Sequence, residues 1–224
     1  MNVIIGDSRV RGLGNELAKG TVDIHCRPGC TLSKANELVQ EHYFLHHGGQ
    51  PIYSGHTYYY IIAGICDITK KIKIYKDHYE ETVYLDHPAD TVDKIVTLLS
   101  TIQADTLDLG AKPVICPLYP IDLATWNQVR YKQHKTKTLK YLESYDEMRL
   151  AIEEVILTLN KKITNLNSNI QVSTPMIHKS MLHNHRKGKQ YWQYHKLVDG
   201  CHPGAQMTET IAKSLAKAIQ RNEN

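Results

Sequence analysis

The order of elements legible in this chain predicts a doubly wound α/β fold, a three-layer α/β/α arrangement whose middle layer is a parallel, flavodoxin-like sheet of about five strands. Two observations carry that expectation. Short apolar runs without polar alternation recur along the chain, as strands buried on both faces of a parallel sheet require. Between them lie stretches whose apolar residues fall at helical spacing. The 224 residues are enough for one such domain, residues 1–224, with a sizeable core.

The first strand is Val3 to Ile5, inside the run Met1-Asn2-Val3-Ile4-Ile5. Val22 to His25, Tyr58 to Ala63, Val114 to Cys116 and Ile170 to Val172 are the other four candidates. Leu32, Ala35, Leu38 and Val39 form one helical stripe, and Val92, Ile95, Val96, Leu99 and Ile102 form another. A third helix opens on Ser144-Tyr145-Asp146-Glu147, a capping-box pattern in which serine and glutamate satisfy each other's free N–H groups. It continues through Met148, Ile152, Val155, Ile156, Leu159 and Ile163. The last helix, from about Gly204 to Arg221, turns Met207, Ile211, Leu215, Ala216 and Ile219 inward. Lys71 to Tyr75 and Thr82 to Leu85 both alternate, and the charged stretch Lys76 to Glu81 would join them as a hairpin inserted around residues 71–86, a lid or dimer contact above the site; the alternative is an irregular loop.

Two short motifs bracket these elements. Gly6-Asp7-Ser8 follows the first strand, and Asp199-Gly200-Cys201-His202-Pro203 precedes the last helix. Ligands of an open α/β sheet bind outside the carboxyl ends of its strands, so Ser8 stands where a substrate would be met. A serine hydroxyl is a weak nucleophile until a base takes its proton; His202 is the candidate base, and Asp199 the acid that orients it. Asp7 is read as fixing the turn. Ser8 is followed by Arg9 and Val10, so the G-x-S-x-G elbow of the α/β-hydrolases is absent.

These motifs resemble those of the SGNH, or GDSL-type, hydrolase superfamily, in which a GDS block carries the nucleophile and a DxxH block the acid and base. The resemblance extends to Arg27-Pro28-Gly29-Cys30 and to Gly64-Ile65-Cys66-Asp67, which stands at the family's G-x-N-D block with Cys66 in the asparagine's place. It implies a serine esterase that cleaves an ester or acetyl group of a small or polymeric substrate through Ser8, His202 and Asp199, with no cofactor and no metal. The oxyanion would be held by the backbone N–H groups of Ser8 and Gly29, with Cys66 at the position of a further donor. Loss of one such donor costs about 10²–10³ in turnover. A Thr69 hydroxyl or a backbone N–H is a candidate substitute. The alternative is a catalytically weakened domain that binds nucleic acid or another anionic partner.

The net charge of +4 is unevenly spread. Arg130, Lys132, Lys135, Lys137 and Lys140 fall in one acid-free stretch with Tyr131, His134 and Tyr141. Lys179, Arg186, Lys187, Lys189 and Lys196 form another, interleaved with Tyr191, Trp192 and Tyr194. Both follow strand candidates and should emerge on the rim beside Ser8 and His202, as an anionic-ligand surface or as solvated loops. The five scattered cysteines, Cys26, Cys30, Cys66, Cys116 and Cys201, suit reduced thiols. Cys26 and Cys30 have no second pair at zinc-finger distance, and His183-Asn184-His185 reads as a solvated basic loop. No basic segment followed by a long apolar region opens the chain, and the stretch from Tyr58 to Cys66 is too short to span a bilayer, so a soluble, intracellular protein is expected. Oligomeric state is left open.

Overall fold

A computed structural model describes residues 1–17, 21–48, 57–74, 79–84, 86–134, 142–184 and 190–224. In chain order the strands are β1 (Asn2–Gly6), β2 (Asp23–Cys26), β3 (Tyr58–Ile62), β4 (Lys70–Ile74), β5 (Tyr79–Val83), β6 (Lys112–Ile115), β7 (Leu182–Asn184) and β8 (Gln190–Trp192). The helices are α1 (Leu13–Glu16), α2 (Leu32–His47), α3 (Ile65–Ile68), α4 (Pro88–Asp108), α5 (Leu123–His134), α6 (Tyr145–Asn169) and α7 (Ala205–Glu223).

β1, β2, β3 and β6 form one parallel sheet in the order β2-β1-β3-β6. The three tyrosines of β3 show why it needs a helical layer on each side. Successive strand residues face opposite ways. Tyr59 therefore meets His42 of α2, with its hydroxyl 2.9 Å from Nδ1. Tyr58 and Tyr60 point the other way, to Asn222 of α7, where the Tyr58 hydroxyl donates to the backbone carbonyl and the Asn222 amide donates 3.0 Å to the Tyr60 hydroxyl. Each ring is thus buried with its polar tip satisfied. The result is a mixed α/β architecture of three layers, with a four-stranded parallel sheet flanked by helices. Between β1 and β3 the winding reverses, which opens a crevice at the carboxyl ends of those strands.

Ile170 to Val172, the fifth strand candidate, is not a strand. Two asparagines of α6 explain why. The Asn167 amide accepts from Ile115 N at 3.0 Å and donates to Ile115 O at 2.7 Å. Asn160 does the same for Leu118, at 2.7 and 2.8 Å. Pro113, the other β6 residue whose backbone faces outward, has no N–H to satisfy. The outer edge of β6 is therefore occupied by side chains, and the chain instead turns through Gln171 at φ +57°.

Two smaller expectations also change. Ser144 stands before α6 but makes no side-chain cap, because the chain enters that helix through a tight turn over Leu142–Ser144 that holds Ser144 in helical geometry. Ala216 of α7 is exposed, since it lies about 100° around the helix from Leu215, and Ala212 and Ala218 are buried instead.

A separate hairpin pairs β4 with β5 antiparallel, Ile72 opposite Glu81. A third asparagine anchors it: Asn127 of α5 accepts from Thr82 N at 2.9 Å and donates to Thr82 O at 2.7 Å.

Asn167→Leu should strand the Ile115 N–H and C=O in the interior and lower the unfolding free energy by about 2–4 kcal/mol in urea denaturation. A loss no larger than that of an exposed substitution would show that the edge finds other partners.

Candidate active site

Ser8 leaves β1 in a single 3₁₀ turn, Ser8–Val10, in which the Asp7 side chain caps the N–H of Arg9. The Asp7 carboxylate accepts from Arg9 N at 2.9 Å and takes the Arg9 guanidinium in a two-pronged contact, 3.0 Å from Nε and 2.7 Å from Nη2. Both side chains are 2% exposed. Burial works against the charge on Arg9, but Asp7, the Tyr119 hydroxyl and Cys201 outweigh it and hold the guanidinium firmly protonated. Arg9 also lies 4.9 Å from the centre of the Tyr119 ring. Ser8 is thus clamped between two buried, oppositely charged neighbours.

The second motif is a turn folded around its own acid. Asp199 Oδ1 accepts from the backbone N–H of Cys201 at 3.0 Å and of His202 at 2.8 Å. Its other oxygen lies 2.7 Å from His202 Nδ1. Burial raises the pKa of Asp199, yet these bonds from His202 and Cys201 prevail and hold it below the usual carboxylate range. The stabilisation they bring is present above the ordinary carboxyl pKa and is lost as pH falls through the depressed one. An ionised carboxylate only accepts, so Nδ1 carries the proton and Nε2 offers a lone pair. Ser8 Oγ lies 2.8 Å from that Nε2.

Gly200 makes the turn possible. Its φ is +86°, and a Cβ there would sit 2.5 Å from Asp122 O and 2.6 Å from Trp126 N. Asp122 N donates to Gly200 O at 2.7 Å, and Asp122 caps α5 through Thr125. The same helix carries Trp126, whose ring lies 5.6 Å from that of His202 and whose indole N–H donates to Thr82 on the hairpin.

Around the Ser8 hydroxyl opens a cleft of about 460 Å³. Gly29 lines it at φ +71°, a geometry that an L side chain rarely adopts. The backbone N–H groups of Ser8 and Gly29 find no acceptor among the described residues. Cys66 faces the same cleft from α3. Burial and nearby Asp7 push its thiol up to about 11, so it is a neutral, weak donor at ordinary pH. Thr69 lines the cleft too, but its hydroxyl donates to Ile65 O at 3.0 Å and is not free to replace the asparagine. Asp67 accepts from Leu32 N at 2.9 Å, which ties α3 to the start of α2.

The basic segments divide. Arg130 lines the cleft with its guanidinium 5.5 Å from the Trp126 ring centre, and Lys132 is exposed on the same helix. Lys179 is exposed, whereas Lys196 donates to Ser180 O at 2.6 Å. Lys135, Lys137, Lys140, Arg186, Lys187 and Lys189 lie outside the described residues. Of the interleaved aromatics, Trp192 is buried and the Tyr194 hydroxyl donates to Glu153, so both serve packing; Tyr191 is exposed. All five cysteines are free. Among the described residues no helix is long and apolar enough to cross a membrane. Sequence reasoning missed Arg11, Ile121 and Trp126, which line the cleft. No local pattern marks them, because they reach it only through the packing of α5 and the turn after β1.

No family model and no curated protein matches the sequence significantly. Solved structures do match. A putative acylhydrolase from Bacteroides fragilis aligns over 99% of this chain and 87% of its own, with a TM-score of 0.61 at 13% identity. A lipolytic protein of the G-D-S-L family from Veillonella parvula aligns over 98% and 97%, with a TM-score of 0.59 at 12% identity. The OSK domain of Drosophila Oskar covers 97% of this chain and 87% of its own, with a TM-score of 0.54 at 11% identity. The chain has the SGNH/GDSL-type fold. At these identities the likeness is one of backbone, and the chemistry rests on the side chains described above.

Arg9→Met should leave the Asp7 carboxylate buried without its partner and lower the unfolding free energy by about 3–5 kcal/mol. The double variant Asp7→Asn/Arg9→Met should recover part of that loss. Additive losses in urea titrations would contradict the coupling.

Proposed function

We propose that the protein is a serine esterase of the SGNH type, acting on an ester or acetyl group. The single observation that carries this reading is the relay from Ser8 Oγ to His202 Nε2 at 2.8 Å and from His202 Nδ1 to Asp199 Oδ2 at 2.7 Å. In the proposed reaction His202 takes the Ser8 proton as Oγ attacks the ester carbonyl, and the imidazolium is steadied by ionised Asp199. The tetrahedral oxyanion is met by the Ser8 and Gly29 N–H groups, with the Cys66 thiol as a weak third donor. His202 returns the proton to the departing alcohol. Water, deprotonated by the same imidazole, then releases the acid.

A second reading has one specific observation in its favour. Arg11, Lys71 and Arg130 all line the cleft, and the neutral Cys66 occupies the asparagine position, as a weakened domain that holds an anionic ligand would have them.

A fluorophosphonate probe should label Ser8, and a short p-nitrophenyl ester should be hydrolysed. Ser8→Ala or His202→Ala should each cut turnover by about 10³-fold or more, and Asp199→Ala by less. Full activity in Ser8→Ala would sink the assignment, and no activity in the parent would favour the second reading.

Cys66→Asn supplies an amide donor and should raise turnover about tenfold. A fall in a normally folded variant would mean that the thiol already serves the oxyanion. If the second reading holds, Arg130→Glu should weaken binding of single-stranded nucleic acid, and the parent's affinity should fall steeply with salt.

A further inference from the structure

On the α2 side of the sheet, away from Ser8, Asp23, His42 and His46 bring one ligand atom each to within 4.8 Å of one another. We propose that these residues, with His25 beside them, form a site for a divalent transition metal, with Zn²⁺ the preferred ion. The residues reach it by simple periodicities. Asp23 and His25 alternate onto one face of the edge strand β2. His42 and His46 are four residues apart and share a face of α2.

Spacing and chemistry both fit such an ion. His42 Nε2 lies 3.2 Å from Asp23 Oδ2, and His25 Nε2 lies 3.1 Å from the same oxygen. Neighbouring ligand atoms around a tetrahedral zinc stand about 3.3 Å apart, which follows from bonds of about 2.0–2.1 Å. The His25 nitrogen is buried and makes no hydrogen bond despite that approach. Two imidazole nitrogens therefore converge on a single carboxylate oxygen, and a cation among them would take over from the hydrogen bond between His42 and Asp23. The His42 and His46 rings stack at 4.3 Å, and the His25 ring meets His42 edge-on at 4.8 Å. Binding through His42 Nε2 requires the proton on Nδ1, and the Tyr59 hydroxyl, 2.9 Å away, is placed to accept it. Such an outer partner fixes the tautomer and orientation of a ligating histidine. His42 is buried while Asp23 and His46 are exposed, so one side of the site is rigid and the other is open to entry from solvent. Two imidazoles and a carboxylate, with a third imidazole adjacent, select zinc over calcium or magnesium, which prefer oxygen. A site of these three ligands would clip the edge strand to α2 rather than serve ester chemistry.

The test uses tag-free, chelator-stripped protein titrated with ZnCl₂ in a calorimeter. One ion per chain should bind, the unfolding temperature should rise on binding, and Co²⁺ should give the visible absorption of a four-coordinate site. Asp23→Asn and His46→Ala should each weaken Zn²⁺ binding by at least about tenfold. Both side chains are exposed, so the metal-free variants should unfold where the metal-free parent does. Their labelling by a fluorophosphonate should match the parent's, whether or not Ser8 is reactive. Absence of stoichiometric binding, or equal affinity in the double variant Asp23→Asn/His46→Ala, would overturn the proposal.

Discussion

The buried pairing of Asp7 with Arg9 is the constraint on which the cleft depends. Removing two charges from water is expensive, and a hydrophobic pair of similar volume is often no less stable. What the pair supplies is position. Asp7 is fixed from β3 by its N–H to Ile62 O and from within the turn by Arg9. Arg9 in turn lies against Tyr119, in the loop after β6. One guanidinium thus ties the turn after β1 to the loop after β6. Ser8 is the residue between the pair and has little freedom to leave its place.

The opposite wall is organised by α5. Its start accepts the approach of Gly200, and its next turn sets Trp126 beside His202. Trp126 and Asn127 then fasten Thr82, so the hairpin and the histidine turn are held by adjacent residues of one helix. Movement of α5 would displace the imidazole and the hairpin wall together.

What was legible in the sequence was whatever depends on near neighbours. The strand runs at Val3 to Ile5 and Tyr58 to Ala63 lie on buried central strands, and Ser8, Asp199 and His202 sit in motifs short enough to see, although 194 residues separate Ser8 from His202. What was not legible depends on pairs far apart. Ile170 to Val172 has strand composition, but the edge it would have joined is held by Asn160 and Asn167, which in sequence are only polar interruptions of an apolar stripe. Nothing in the sequence marks Arg9 as the buried partner of Asp7. The cluster around Asp23 was hidden for the same reason. Its residues are spread over two elements, while attention to spacing falls on Cys26 with Cys30 and on His183 with His185.

The asparagines of α6 also give the sheet a direction. An uncovered edge strand is a template on which any extended chain can add, and proteins that must stay apart usually blunt it with charge or proline. Here the β6 margin has Pro113, which offers no N–H, and the Ile115 N–H and C=O are taken by the Asn167 side chain, so an incoming strand finds few free partners there. The other margin, β2, is a four-residue strand with Asp23 exposed on it. Strand addition to this sheet is therefore favoured on one side. The open margin is β2, and the guarded one is β6.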